Sequence, residues 1–212
     1  EISRGYRIIG QICRGSILGD CIYDFVFNVK YPLNIVEIGT GGGLGSTKCI
    51  YDAIIDSQKK NCVVYSIELN FENYKDAVSN LPKIDNFYLI HGYVTDVMRH
   101  PSTFPDFLFK GYKKEDAESW YNRDLLDYKL CGNVLHLLPE KIDLLILDGG
   151  PFSGMAEFNL LKDRCGYIIL DDTMDIKNYE VYQEIKMNPD FYQIKIDKPE
   201  DRNGWAIVLK IK

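Results

Sequence analysis

Residues 33–43 read Leu33-Asn34-Ile35-Val36-Glu37-Ile38-Gly39-Thr40-Gly41-Gly42-Gly43, and this stretch decides the fold. An apolar run of strand type (Ile35, Val36, Ile38) stops at a cluster of glycines, and a helical pattern follows at once. Strand, glycine loop, helix is the geometry that lets a backbone approach a nucleotide-like ligand closely. A dinucleotide fingerprint, Gly-x-Gly-x-x-Gly, needs a glycine where this chain has Leu44. The pattern satisfied instead is acidic-x-Gly-x-Gly-x-Gly, filled by Glu37, Gly39, Gly41 and Gly43.

These residues resemble the first motif of the class I S-adenosylmethionine-dependent methyltransferases. The resemblance spans about residues 33–212. It implies that Gly39, Gly41 and Gly43 let the turn pass under the methionine part of S-adenosylmethionine. Thr40 and Ser46 would supply polar contacts there, and Glu37 would orient the loop and help receive the ammonium group.

Working outward, residues 44–58 carry Ile50/Ile54 and Tyr51/Ile55 at helical spacing. Cys62 to Ile67 is a buried-type strand ending at Glu68, and Phe71, Tyr74, Val78 and Leu81 then predict a helix closed by Pro82. Further strands are predicted at 87–90, 142–147 and 167–170. They end at His91-Gly92, Asp148-Gly149-Gly150 and Asp171-Asp172. The runs 191–196 and 205–211, joined by a polar turn, read as an antiparallel hairpin. Alternating strands and helices imply an α/β, Rossmann-like, doubly wound sheet of seven strands. It is mostly parallel, with helices on both faces.

In such sheets the ligand sits outside the carboxyl ends of the strands, where five successive predicted strands here end in polar residues. Glu68, 29 residues after Gly39, is placed to accept hydrogen bonds from both hydroxyls of a ribose. The family resemblance puts the adenine pocket at Gly92 and Tyr93, with the backbone of Tyr93 as the contact. Asp148, Asp171 and Asp172 end neighbouring strands, roughly 4.8 Å apart. Three carboxylates that close repel unless a cation intervenes, and oxygen-only ligands suit Mg²⁺ or Mn²⁺. The set resembles the metal site of small-molecule and sugar O-methyltransferases, where the ion holds the acceptor hydroxyl. In a metal-free reading, Asp148 holds the acceptor itself and Asp172 caps a helix beginning near Asp175. Those relatives place a base two or three residues after the first aspartate, where this chain has Gly150 and Pro151. Asp148, His91, His136 or a residue of the 96–141 segment remain as bases.

The chain has 212 residues, 46% of them hydrophobic, enough for one domain with a large core. Residues 1–31 are expected to form two short capping helices, built on Tyr6, Ile9, Ile12 and on Ile17, Cys21, Phe25. Residues 96–141 are expected to form an elaborated loop and helix, with Ala117, Tyr121, Leu125 and Tyr128 on its packed face. A first residue of Glu rather than Met suggests a domain cut from a longer protein. The net charge of −6 and scattered lysines argue against a nucleic-acid partner. Six cysteines without a Cys-x-x-Cys pair read as reduced thiols, and so as a cytoplasmic protein. No apolar run is long enough to span a membrane. The expected partner is a small-molecule acceptor, a sugar or glycan, and the expected reaction is O-methylation. Two alternatives stand beside it, a nicotinamide-dependent oxidoreductase and a non-catalytic cofactor-binding domain.

Overall fold

The computed structural model describes residues 12–109 and 111–212. The first of the two expected N-terminal helices lies outside the described residues; the second is α1 (Ile17–Asn28), capped by the Ser16 side chain on Gly19 N–H. After it come β1 (Leu33–Ile38), α2 (Ser46–Ser57), β2 (Cys62–Glu68), α3 (Phe71–Asn80) and β3 (Phe87–Tyr93). Two 3₁₀ turns and α4 (Lys114–Asp127) lead to a two-residue β4 (Gly132–Asn133). The remainder is β5 (Ile142–Leu147), α5 (Gly154–Leu161), β6 (Cys165–Asp171), α6 (Tyr179–Met187), β7 (Tyr192–Lys198) and β8 (Trp205–Lys210).

The strands form an eight-stranded sheet in the order β4-β3-β2-β1-β5-β6-β8-β7. All neighbours are parallel except β8, which runs antiparallel to both β6 and β7. The strand beyond the expected seven is β4, paired only through Gly92↔Gly132 and Tyr93↔Asn133. So short a segment carries no readable periodicity.

Strand parity sorts the two layers. Leu33 and Ile35 of β1 face α1 and α2, packing with Leu18, Ile22, Ile50 and Ala53. Val36 and Ile38 face the opposite layer, with Phe158 of α5 and Val181 and Ile185 of α6. A third, smaller core of Phe104, Leu108, Ala117, Phe152 and Ile176 holds the 98–121 segment together.

Two sequence expectations hold only in part on helix faces, since Ala117, Tyr121 and Tyr128 of the α4 segment and Leu81 of the α3 stripe turn inward but Val78 and Leu125 do not. Of the expected α3 stripe, Leu81 is buried but Val78 is exposed, while Tyr74 stacks with His91 and Phe71 meets the same ring at a tilt. In α4 the buried positions are Ala117, Asp124 and Asp127, with Leu125 and Leu126 exposed. That helix looks onto a polar cavity rather than onto the sheet core. No described helix is long and apolar enough to cross a membrane.

Candidate active site

The chain reverses its winding between β1 and β5, and a crevice opens at that point beyond the strand ends. Its two lips are in backbone contact, with Asp148 N–H donating to Ile38 O at 2.9 Å. Gly39, at φ +98°, lies so close that a Cβ there would stand 2.2 Å from Asp148 O. The crevice is a cavity of about 1000 Å³, walled by Gly39–Gly42, Glu68, Asn70, Gly92, Tyr93, Asp148 and the inner face of α4.

Each glycine of the loop has a separate task. Gly41, at φ +55°, has nothing within 4 Å of a would-be Cβ, so its open side is the cavity. Gly43, at φ +77°, faces away from the cavity toward α3, where a would-be Cβ would stand 3.0 Å from Ala77, so its place here is in seating the loop. Gly42 and Gly45, which the sequence pattern did not single out, line the cavity instead.

Glu37 also lies behind the loop. Parity of β1 turns it toward α2, where Oε2 accepts from Thr47 Oγ1 at 2.7 Å and Ser66 Oγ at 2.5 Å. Thr40 Oγ1 bonds Ser66 Oγ at 2.6 Å, completing a brace under the turn. Burial pushes the Glu37 carboxyl up, against the hydrogen bonds from Ser46, Ser66 and Thr47. Its Oε1 is buried without a hydrogen-bond partner among the described residues.

Glu68 is where the sequence put it but is not exposed. It is 7% accessible, with Oε2 accepting Gly41 N–H at 2.7 Å and Oε1 accepting Asn70 N–H at 2.9 Å. One carboxylate thus fixes two loops and still has lone pairs for a ligand. Gly92 permits the approach of β4, since a Cβ would meet Val134 Cγ1 at 2.5 Å. The Tyr93 carbonyl accepts Val134 N–H, and the Tyr93 ring lies 4.6 Å from that of Tyr128 on the cavity wall. Asp127 of α4 reaches across to Asn70 Nδ2 at 2.9 Å.

The aspartate cluster forms as expected, but its cation is a side chain. Lys177 Nζ lies 2.7 Å from Asp148 Oδ1, 2.8 Å from Asp172 Oδ2 and 3.7 Å from Asp171 Oδ2. Arg202, at the tip of the β7–β8 hairpin, donates to Asp171 Oδ2 at 2.9 Å. Burial opposes the charge on Lys177, but Asp148, Asp172 and Asp171 outweigh it and hold the amine firmly protonated. At Asp172 the same ammonium outweighs burial and keeps the carboxyl below its ordinary range. Asp148 and Asp171 are raised, by burial first, with Asp171 reaching about 7 as Asp148 adds to it. Mg²⁺ or Mn²⁺, as the resemblance implied, does not fit this donor set while the ammonium occupies it. Among the described residues no group of three or more acidic, histidine or cysteine side chains is arranged to hold an ion, this cluster included.

Asp172 caps no helix, because α6 starts at Tyr179 with Asn178 at its N-cap. Its φ of +54° instead turns the carboxylate toward Lys177. His91 and His136 lie outside the cavity wall. Beside Gly150, where relatives of the resemblance keep a base, α4 brings Asp124, whose Oδ2 lies 3.2 Å from a would-be Gly150 Cβ. Burial pushes Asp124 up to about 6. Glu157, bonded by Ser153 Oγ at 2.7 Å, is pushed by burial to about 7 on the same wall. Ser46 approaches Asp148 Oδ2 at 3.4 Å. Lys177, Arg202, Asp124 and Glu157 were missed from the sequence. Only their distance from a predicted strand end set them apart, and that is no signal.

A second chamber of about 260 Å³ shares Arg123, Pro151, Asp172 and Lys177 with the first and adds Tyr112, Trp120 and Asp175. Tyr112 and Trp120 rings lie 4.9 Å apart, and Tyr112 OH donates to Asp175 Oδ1 at 2.6 Å.

The chain matches no protein-family model and no curated protein sequence. Solved structures do resemble it. A putative class I S-adenosylmethionine-dependent methyltransferase from Listeria monocytogenes aligns with 99% of this chain and 64% of its own, at 12% identity and a TM-score of 0.53. The O-methyltransferase NovP aligns with 92% of this chain and 78% of its own, at 14% identity and a TM-score of 0.51. At such identities the likeness is one of fold. The chain has the Rossmann-like α/β fold of the class I methyltransferases, extended by a two-residue edge strand and an elaborated α4 segment.

Proposed function

We propose that this chain transfers a methyl group from S-adenosylmethionine to a hydroxyl of a small polyhydroxylated acceptor, a sugar or glycan. The observation that carries the reading is the continuity of the two chambers. The larger holds the open glycine turn, Glu68 and Asp148; the smaller is walled by Tyr112 and Trp120; Lys177 and Asp172 line both, and Lys177 holds Asp148 at 2.7 Å. The residues fit the cofactor. Gly41 leaves open space for a close backbone approach and Glu68 suits ribose hydroxyls, while Glu37 acts only from behind, bracing the loop through Thr47 and Ser66. When bound, the cofactor supplies an electrophilic methyl on a sulfonium.

The protein's own part is orientation and proton removal. Trp120 and Tyr112 offer ring faces to the apolar side of a sugar, while Asp172 and Asp175 accept from its hydroxyls. Asp148 Oδ2, which Lys177 leaves free and Ser46 Oγ only approaches at 3.4 Å, would receive the acceptor hydroxyl's proton as the methyl exchanged its bond to sulfur for one to the acceptor oxygen, with S-adenosylhomocysteine as the leaving group. A carboxyl raised above its ordinary range is better matched to that task than an ordinary aspartate.

Isothermal titration tests the first half. S-adenosylhomocysteine is expected to bind and NAD to give no heat; NAD binding alone would overturn the reading in favour of an oxidoreductase. Turnover with radiolabelled cofactor against monosaccharides and glycans tests the second half, and transfer only to amines or nucleic acid would refute the acceptor.

A further inference from the structure

We propose that Lys177 is a resident cation that takes over the place of a divalent metal ion at the acceptor end of the site. The claim extends the methyl-transfer reading, but its structural half stands without it. The seat is built, not incidental. Lys177 belongs to the turn between β6 and α6, and the next residue ties that turn to two strand ends: Asn178 Nδ2 donates to Leu147 O at 2.9 Å and to Asp171 O at 2.8 Å. The turn is also pinned to the β7–β8 hairpin, through Thr173 N–H to Gly204 O and Met174 N–H to Asn203 O. The Lys177 carbonyl packs against Gly154, where a Cβ would come within 2.5 Å. The side chain is only 14% accessible.

Charge explains why the seat needs filling. Asp148, Asp171 and Asp172 bring three carboxylates, and Arg202 reaches only Asp171. An ammonium offers three N–H donors. Asp148 and Asp172 lie within hydrogen-bond distance of two and Asp171 stands off at 3.7 Å, so one donor is left for a ligand where Lys177 lines both chambers. A metal bound at ~2.0–2.6 Å from the same carboxylate oxygens would have to occupy the position of Nζ, so ammonium and dication exclude each other. A single positive charge lowers the pKa of a bound hydroxyl less than a dication does. The site therefore relies on a carboxylate base, and Lys177 steadies the acceptor oxygen while Asp148 receives its proton.

The test compares wild type with Lys177→Ala in Mn²⁺ titrations followed by calorimetry and thermal melting. Wild type is expected to bind no Mn²⁺ at the cluster and to show no metal-dependent melting shift. Lys177→Ala, with three uncovered carboxylates, should take up one ion with affinity raised by about tenfold or more, and its melting temperature should rise with metal. If Lys177→Ala does not fold, Lys177→Gln is read in the same way. Specific Mn²⁺ binding by wild type, or none by the folded variant, would overturn the proposal. Exhaustive chelation of wild type should leave methyl transfer intact, and activity restored only by metal would also overturn it. Should no acceptor be methylated at all, the methyl-transfer reading fails while the Mn²⁺ arms still decide the role of Lys177.

Discussion

The Glu68 carboxylate at the end of β2 receives the Gly41 N–H from the loop after β1, at 2.7 Å. One residue therefore both shapes the glycine turn and faces the cavity it borders. Glu68→Gln turns an amide donor toward that N–H or toward Asn70. S-adenosylhomocysteine affinity should fall by about 1.5–3 kcal/mol, with a comparable loss of folding stability, since hydrogen bonds to a charged group are broken on both counts. Titration calorimetry and chemical denaturation separate the two. A variant as stable and as tight as wild type would remove Glu68 from both roles.

The glycines should divide by environment. Gly39→Ala puts a methyl into Asp148 O and should disrupt the β1–β5 junction, giving little soluble protein. In Gly41→Val the Cβ meets no atom within 4 Å, so the variant should fold at a cost of about 1–3 kcal/mol for its left-handed backbone, yet lose the cofactor. Melting and ligand titration on both variants read the contrast. Tight binding by Gly41→Val would place the ligand elsewhere.

Asp148→Asn should reduce turnover by about 10²–10⁴ with cofactor affinity nearly unchanged, the usual size of a lost general base. Asp124→Asn should cost much less. The reverse order would transfer the role of base to Asp124.

Trp120 borders the smaller chamber and not the larger. Trp120→Ala should raise the acceptor KM by about tenfold, the ~1.5 kcal/mol of a good aromatic contact, without changing S-adenosylhomocysteine affinity. Loss of cofactor affinity would mean that the two chambers are not separate subsites.

Stability should fall as pH rises through neutrality. Glu157 and Asp171 are both raised to about 7, so between about pH 4 and 7 the folded state holds protons that the unfolded chain has released. Their contribution is complete below that window and lost as pH climbs past about 7. The melting temperature should be higher at pH 5.5 than at pH 8. Glu157→Gln should flatten the slope and stabilise the protein at pH 8 by on the order of 3 kcal/mol. An unchanged slope in that variant would show Glu157 to be ordinary.

The sheet was legible because its strands are nearly continuous apolar runs ending in polar residues, as in β1, β2, β5 and β6. The gathering of Asp148, Asp171 and Asp172 followed from the same ends. What was not legible depends on distant chain. The inference that a cation must sit among the aspartates was sound, but an ammonium from an unpatterned turn answers it as well as a metal does. Lys177 there looks like any surface lysine until Asn178 is seen to tie its turn to two strand ends. In α4 the apolar spacing of Tyr121, Leu125 and Tyr128 pointed inward by the usual rule. The wall it meets is a cavity, so Asp124 and Asp127 turn in and Leu125 turns out.

The winding order also governs how the molecule comes into being. Ile35 pairs with Leu144, and Tyr167 with Leu209, so the central joins of the sheet wait for segments made much later. Such non-local pairing makes for slow folding. The glycine loop, Glu68 and Gly92 come from the first three strands. Lys177 and Arg202 reach their partners only once β6 has formed and the hairpin has closed on it. A chain cut before the hairpin would thus keep the glycine loop, Glu68 and Lys177 but leave Asp171 without Arg202. The ion pairs of Lys177 and Arg202 are contacts that only the closed sheet can make.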